Sequence, residues 1–233
     1  MKRSAKPSSL TRSGAPTSRP ALNNLCERLP GSRGRPSQAE GEALGERILE
    51  AGWQLLLDVG FERFSFDRLA RFARIGKPTI YARFANKEEL LRELLTWRIE
   101  HNHREILSRA DGQSLAAAIP AMAVSVVEVF ASPEGRLVER LIDWLDYETE
   151  ATHPSLRIWA VRNAANTLEA LMVQANDCGE TRLRDVSTAA RFMVEGIAGH
   201  ARMCDGRTAF SAADHLEWAT RYSAMVLREF SAT

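Results

Sequence analysis

Three cysteines in 233 residues, Cys26, Cys178 and Cys204, are too few, too far apart and odd in number for a disulfide framework, and they lack zinc-site spacing. A reducing, cytoplasmic setting without disulfides is expected. The five histidines include one close pair, His101 and His103, whose spacing of two diverges on a helix, so neither a metal site nor a cofactor is expected. No phosphate-binding glycine loop and no nucleophile motif is present, which leaves an enzyme nothing to work with. No apolar run of about eighteen residues is available to span a membrane, no fixed period suggests a solenoid, and no alternating pattern competes with helix. Net charge is small as well, at +1.

The charge is unevenly placed. Residues 1–38 carry eight basic side chains against one acid, a net of +7, which leaves the rest of the chain at −6. That segment is rich in Ser, Pro, Gly and Arg with almost no apolar periodicity, so a disordered basic tail is expected. Its five prolines, Pro7, Pro16, Pro20, Pro30 and Pro36, argue against an amphipathic targeting helix. Arg33 and Arg35, in an Arg-Gly-Arg-Pro run, suit a narrow A/T-rich minor groove; the plainer alternative is a solubilising tail.

Beyond the tail the chain reads as helix throughout. From Ala39 to Gly60, Leu44, Ile48, Ala51, Leu55 and Val59 recur at steps of four and three, and Trp53 widens the stripe as a core residue. Further amphipathic stretches are expected at about 86–107, 114–131, 134–150, 154–176, 185–204 and 211–230, separated by turn signals such as Ser132-Pro133 and Asp205-Gly206. The fold class is all-α.

Residues 64–90 hold two short helices, a tight turn and a third helix start in a span too short for a core. Ser65 is placed as an N-cap for a helix from Phe66 to Ala73, with Phe64 and Leu69 spaced as a hydrophobic staple. Arg74, Ile75 and Gly76 break it; Gly76 and Pro78 open a second helix at about 77–84, and Asn86 with Glu89 opens a third. Ile80 and Phe84, four apart, point inward, which puts Pro78 and Ala82 outward and Thr79 and Tyr81 on the flanks. Ala82 and the Thr79 methyl suit a thymine methyl in the major groove, and the Tyr81 and Thr79 hydroxyls suit phosphate. Between residues 62 and 87, Arg63, Arg68, Arg71, Arg74, Lys77, Arg83 and Lys87 face only Glu62 and Asp67, a local net of +5 that fits a polyanion.

On Ser65, Asp67, Leu69, Ala70, Arg71, Ala73, Ile75, Lys77, Pro78, Thr79, Ile80, Tyr81, Phe84, Lys87, Glu88 and Leu90, in unbroken register, the chain resembles the tetracycline-repressor (TetR) family of bacterial transcription regulators. Two departures are Arg74, where the family usually has Gly, and Gly76, where it often has Ser. A non-Gly residue in a left-handed turn costs roughly 1 kcal/mol, so a turn that is either slightly strained or shaped differently is expected. The resemblance implies a helix-turn-helix at about 65–84 within a three-helix DNA-binding domain at 39–102, and a larger helical ligand-binding and dimerisation domain at 103–233. The DNA-contacting residues it and the local chemistry point to are Arg33, Arg35, Ser65, Arg74, Lys77, Pro78, Thr79, Tyr81, Ala82, Arg83 and Lys87.

The helical block from about 103 to 180 exceeds what DNA reading and dimerisation need, so a pocket is expected there, with Phe130, Trp144, Trp159, Leu168 and Met172 as its lining or else as core. The acidic run Asp143, Asp146, Glu148 and Glu150 either attracts a cation or is a solvated face. Stripes at Ala190, Val194, Ile197 and Ala201 and at Leu216, Ser223, Val226 and Phe230 either pair between subunits or face their own core; in the family the last two helices commonly build the dimer interface. The expectation is a homodimeric regulator, a repressor by resemblance, that binds a palindromic double-stranded operator and is released by a small molecule. The rival is a ligand-independent DNA-architectural protein that binds through its basic tail.

Overall fold

The computed structural model describes residues 38–148, 153–204 and 210–232. Arg33, Arg35, Cys26, Glu150 and the Asp205-Gly206 turn lie outside the described residues. Nine helices account for most of what is described: α1 Gln38–Arg63, α2 Phe66–Ala73, α3 Lys77–Tyr81, α4 Lys87–Ser108, α5 Leu115–Ala131, α6 Pro133–Glu148, α7 Leu156–Asp177, α8 Val186–Met203 and α9 Ala212–Glu229. Among the described residues, strand is limited to an isolated antiparallel bridge between Leu183 and Ser231. No single described helix is long and apolar enough to cross a membrane.

The caps explain why the expected boundaries hold to within two or three residues nearly everywhere. Ser65, Asn86 and Ser211 each accept a backbone N–H three residues on, and Ser211 forms a full capping box with Asp214. Glu89 departs from that pattern, accepting from Ala85 N at 2.6 Å rather than from the cap residue itself. α1 is broken at Gly60, whose φ of 72° turns the chain into the short segment before α2. α3 is shorter than expected: regular helix stops at Tyr81, and single bonds from Ala82 and Phe84 to Pro78 and Ile80 carry one last turn.

Two large cores form. The first joins α1–α3 and the start of α4 to α6, through Trp53, Leu69, Ile80, Phe84, Leu90, Leu94, Leu141 and Leu145. The second joins α5, α7, α8 and α9, through Ile119, Met172, Ala189, Met193 and Val226. At the α5–α6 corner a Cβ on Gly135 would stand 1.9 Å from the Val129 carbonyl oxygen, so only glycine permits this close approach. Asp146 ties the end of α6 to the start of α7, accepting from Ser155 Oγ at 2.6 Å, Leu156 N at 2.7 Å and Arg157 N at 3.3 Å. Burial alone would raise its pKa, but these bonds and nearby Arg92 outweigh it and hold the carboxyl below its usual range. With Asp143 paired to Arg157 at 2.5 Å, these two members of the acidic run are engaged within the chain.

Candidate functional site

The helix-turn-helix expected to act as the DNA reader is assembled from α2, its turn and α3. Phe64, Phe66, Leu69 and Ala70 are buried, pinning α2 against the first core. Arg74 then ends the helix in the left-handed region, φ 54° and ψ 43°, while Ile75 N donates back to Ala70 O at 3.0 Å. Of the two alternatives at this departure from glycine, the left-handed turn is kept, with Arg74 in it. Ile80 and Phe84 are fully buried, and that leaves Lys77, Pro78, Thr79, Tyr81 and Ala82 on the exposed face. Tyr81 is 55% exposed and rests edge-on against Phe66, with ring centroids 4.8 Å apart. The result is a short helix with a small-residue tip and an aromatic shoulder, a shape the major groove admits.

The basic candidates divide by what they already touch. Lys77 pairs with Asp67 at 2.8 Å across an exposed surface, a weak pair that phosphate can displace. Lys87 donates from Nζ to Phe61 O at 2.7 Å and so also caps the carbonyl end after the α1 break. Arg83 lies back across α1: Nη1 donates to Gly41 O at 3.2 Å, Nη2 is 3.7 Å from Glu93, and a Cβ on Gly45 would collide with the guanidinium. Arg74 is exposed, and Ser65 Oγ is engaged in capping α2.

Away from the reader, α4–α8 enclose a cavity of about 190 Å³. Its walls are aliphatic, among them Ile99, Ile106, Met122, Val138, Val161 and Leu168, and the space exists because Ala160, Ala164 and Ala198 are small. One end is charged: Glu139 is shared by Arg157 at 2.9 Å and Arg202 at 3.1 Å. His103 also lines it, with Nδ1 3.4 Å from Asn163 Nδ2; burial holds its pKa below the usual imidazole range despite Glu100, so at neutral pH the ring is neutral.

Of the expected pocket residues, Phe130 and Leu168 line this cavity. Three require correction. Trp144 and Trp159 pack against the first core, Trp144 with its ring 5.8 Å from Phe61, and Met172 is fully buried in the second core. Large side chains fill volume, and the cavity lies where they are missing. The expected subunit stripe also needs correction, because Ala190, Ile197, Ala201, Ser223 and Val226 are buried within their own chain and Val194 and Ile197 line the cavity. Phe230 is half-buried against Phe192, at 6.1 Å. Leu216 is exposed, together with Phe192, Met203, Phe210 and Met225, which the periodicity did not single out.

Two connections run from cavity to reader. α4 carries Leu90, Leu91, Leu94 and Leu95 in the first core and, two turns on, Ile99, Asn102, His103 and Ile106 in the cavity wall. At the start of α6, beside Gly135, Glu134 accepts from Trp53 Nε1 of α1 and pairs with Arg98 of α4 at 2.8 Å.

Residues 48–94 match the family described as bacterial regulatory proteins, tetR family. Among curated proteins, the DNA-binding transcriptional repressor TetR of Mycobacteroides abscessus is 40% identical over 57 residues, which is 24% of this chain and 30% of that protein. The HTH-type transcriptional regulator YdeS of Bacillus subtilis is 28% identical over 114 residues, 49% of this chain and 54% of its own length. The chain thus spans about a third to a half of these relatives. A TetR-family transcriptional regulator from Pectobacterium atrosepticum superposes with a TM-score of 0.62 at 15% identity, over 85% of this chain and 99% of that one. AibR in complex with isovaleryl coenzyme A and operator DNA superposes with a TM-score of 0.50 at 18% identity, over 76% and 96%. These proteins are regulators rather than enzymes, and the exposed face of α3 lies within the matched segment. Over residues 48–94, which contain α2, the turn and α3, the chain is similar to the bacterial regulatory proteins of the tetR family.

Proposed function

We propose that this chain is a ligand-responsive repressor that binds a palindromic operator as a homodimer and releases it when a small molecule enters the α4–α8 cavity. The observation that carries this reading is α4, one rigid helix that holds the reader's core at its start and lines the cavity farther on. A ligand that needs the cavity wall displaced tilts α4, and the tilt changes the distance between two α3 helices that must sit about one DNA turn, roughly 34 Å, or a multiple apart. Residues 39–102 then act as the DNA-binding domain and 103–233 as the ligand-binding and dimerisation domain. Phe192, Met203, Phe210, Leu216 and Met225 supply the apolar face for the partner subunit. Arg74, Lys77, Tyr81 and Lys87 contact phosphate, as do Arg33 and Arg35 in the flanking minor groove, while Thr79 and Ala82 touch bases.

The effector has a short apolar body and an anionic or polar end. Aliphatic walls select the body, and Arg157 and Arg202, paired with Glu139 and, for Arg157, also with Asp143, offer guanidinium donors to the end. The volume is below the roughly 300–1,000 Å³ of drug-sized sites, which favours a small molecule. AibR in complex with isovaleryl coenzyme A and operator DNA supports the DNA half of this reading, and only the isovaleryl end of its ligand is of a size to suit this cavity.

The test is reciprocity. Short branched and straight aliphatic carboxylates and their thioesters are titrated with and without operator. A compound that weakens operator binding by about 5- to 150-fold, the usual 1–3 kcal/mol of coupling, must itself bind more weakly to the operator complex by the same factor. Equal affinities with and without operator contradict the mechanism. Discrimination of operator from random duplex by about 4–10 kcal/mol separates this reading from an architectural protein that binds through its tail.

A further inference from the structure

The last turn of α8 and the first turns of α9 bring His200, Cys204 and His215 to one spot, and we propose that these three residues bind a transition-metal ion of the zinc type. His200 lies in the last turn of α8 and Cys204, four residues on, is its C-cap, with its N–H donating to His200 O, so the two side chains come to one side. The Ser211–Asp214 capping box fixes the start of α9 and with it the position of His215. One ligand atom from each of the three lies within 4.8 Å of the others.

Cys204 Sγ and His200 Nε2 are 3.5 Å apart. Bonds of about 2.3 Å to sulfur and about 2.0–2.1 Å to nitrogen, disposed tetrahedrally, separate neighbouring ligand atoms by about 3.3–3.6 Å. That edge already has metal-site spacing, and the others, at no more than 4.8 Å, close with a shift of up to about 1.5 Å, within reach of a side-chain rotation.

Two further features point to a ligand. His215 Nδ1 is buried without a hydrogen-bond partner, which a buried imidazole nitrogen ordinarily avoids. Trp218 stacks on the His200 ring with centroids 3.6 Å apart and planes at 6°, and Phe210 flanks both histidines at 6.5 and 5.9 Å, so the rings are held in place. Binding converts the Cys204 thiol to thiolate and releases its proton to solvent. One thiolate and two imidazoles favour zinc over the hard magnesium and calcium ions, and three protein ligands leave a fourth position for water.

The ion would join the end of α8 to the start of α9. Ala201 and Cys204 pack on Val127 and Phe130, and Phe130 and Arg202 line the cavity, so the metal would steady one cavity wall. This goes beyond the DNA-binding and effector reading and stands without it.

The experiment uses the full chain without a histidine tag, titrated with zinc against a chromogenic chelator and, separately, with cobalt(II) followed by absorption. One zinc per chain is expected, and cobalt should show a sulfur-to-metal charge-transfer band with the visible bands of tetrahedral cobalt. Cys204→Ser and His215→Asn should each weaken zinc binding by about tenfold or more and the former should remove the charge-transfer band, while Cys178→Ser changes neither. Circular dichroism checks folding, and should Cys204→Ser unfold, the His215→Asn comparison decides. Zinc affinity unchanged in His215→Asn, or a cobalt spectrum without the sulfur band, overturns the proposal.

Discussion

Replacing Arg74 by glycine separates the two roles of the turn between α2 and α3. At φ 54° and ψ 43° Arg74 occupies the left-handed region, which costs a residue with a Cβ about 1–2 kcal/mol. Arg74→Gly removes that strain but frees the unfolded chain, which opposes folding by about 0.4–1 kcal/mol. The difference is a net stabilisation of about 0.5–1 kcal/mol. At about 2–4 °C per kcal/mol for a chain of this size, the melting midpoint rises by roughly 1–4 °C. Arg74→Ala keeps the strain and loses the guanidinium, so its stability stays within about 0.5 kcal/mol of the parent. On DNA the two variants should be alike, each losing one phosphate contact per subunit, two per dimer, and lowering the salt slope by about 2. Urea unfolding gives the first quantity and fluorescence anisotropy over a salt series the second. A destabilised Arg74→Gly would show that the turn stores no strain, and an unchanged salt slope in Arg74→Ala would remove the phosphate contact.

Three other outcomes follow from the same structure. The double variant Leu216→Glu, Met225→Glu, at two positions each 50% exposed on α9, should sediment as a monomer and lose operator affinity while keeping its helix content; a dimer of parental strength would place the interface elsewhere. Asp146→Ala removes the bonds that hold the start of α7 and should cost about 1–2 kcal/mol at neutral pH. Because the folded pKa of Asp146 is depressed, its stabilisation is complete above the unfolded carboxyl pKa of about 3.9 and fades as pH falls through the lower, folded one; a difference from the parent in urea midpoint that persists at pH 2 would contradict that. Ala164→Phe, placed in the cavity wall, should abolish effector response yet leave effector-free operator affinity within a few-fold, and a retained response would move the effector site.

Much of the fold was legible because its stop signals are local. Ser65, Asn86, Ser211, Gly60 and the Ser132-Pro133 pair set helix ends by chemistry contained within a few residues, and the buried Ile80–Phe84 pair gave the orientation of α3. What was missed depends on packing. Trp144 and Trp159 look like pocket residues on any amphipathic pattern, but the side of α6 and α7 that meets the first core is decided by tertiary contacts. The cavity is marked by the small residues Ala160 and Ala164 within the stripe from Arg157 to Leu171, a signal of absence that periodicity weights lightly. α8 and α9 each carry an inward apolar face of small residues and a separate exposed one, so a single stripe could not say which meets a partner. His200 and Cys204, four apart at the end of α8, were readable as a pair, whereas the approach of His215 depends on how α9 packs.

The most direct test is the base preference of the purified protein and of Thr79→Ala on a library of randomised duplexes. Thr79 lies on the exposed face of α3, where it reaches bases if α3 is the reading helix. The parent should select two inverted half-sites about one helical turn, or a multiple of it, apart, and Thr79→Ala should relax preference at one symmetric pair of positions by about 1–3 kcal/mol while random-duplex affinity stays level. A preference profile identical in parent and variant, or the absence of paired half-sites, would contradict α3 as the reader.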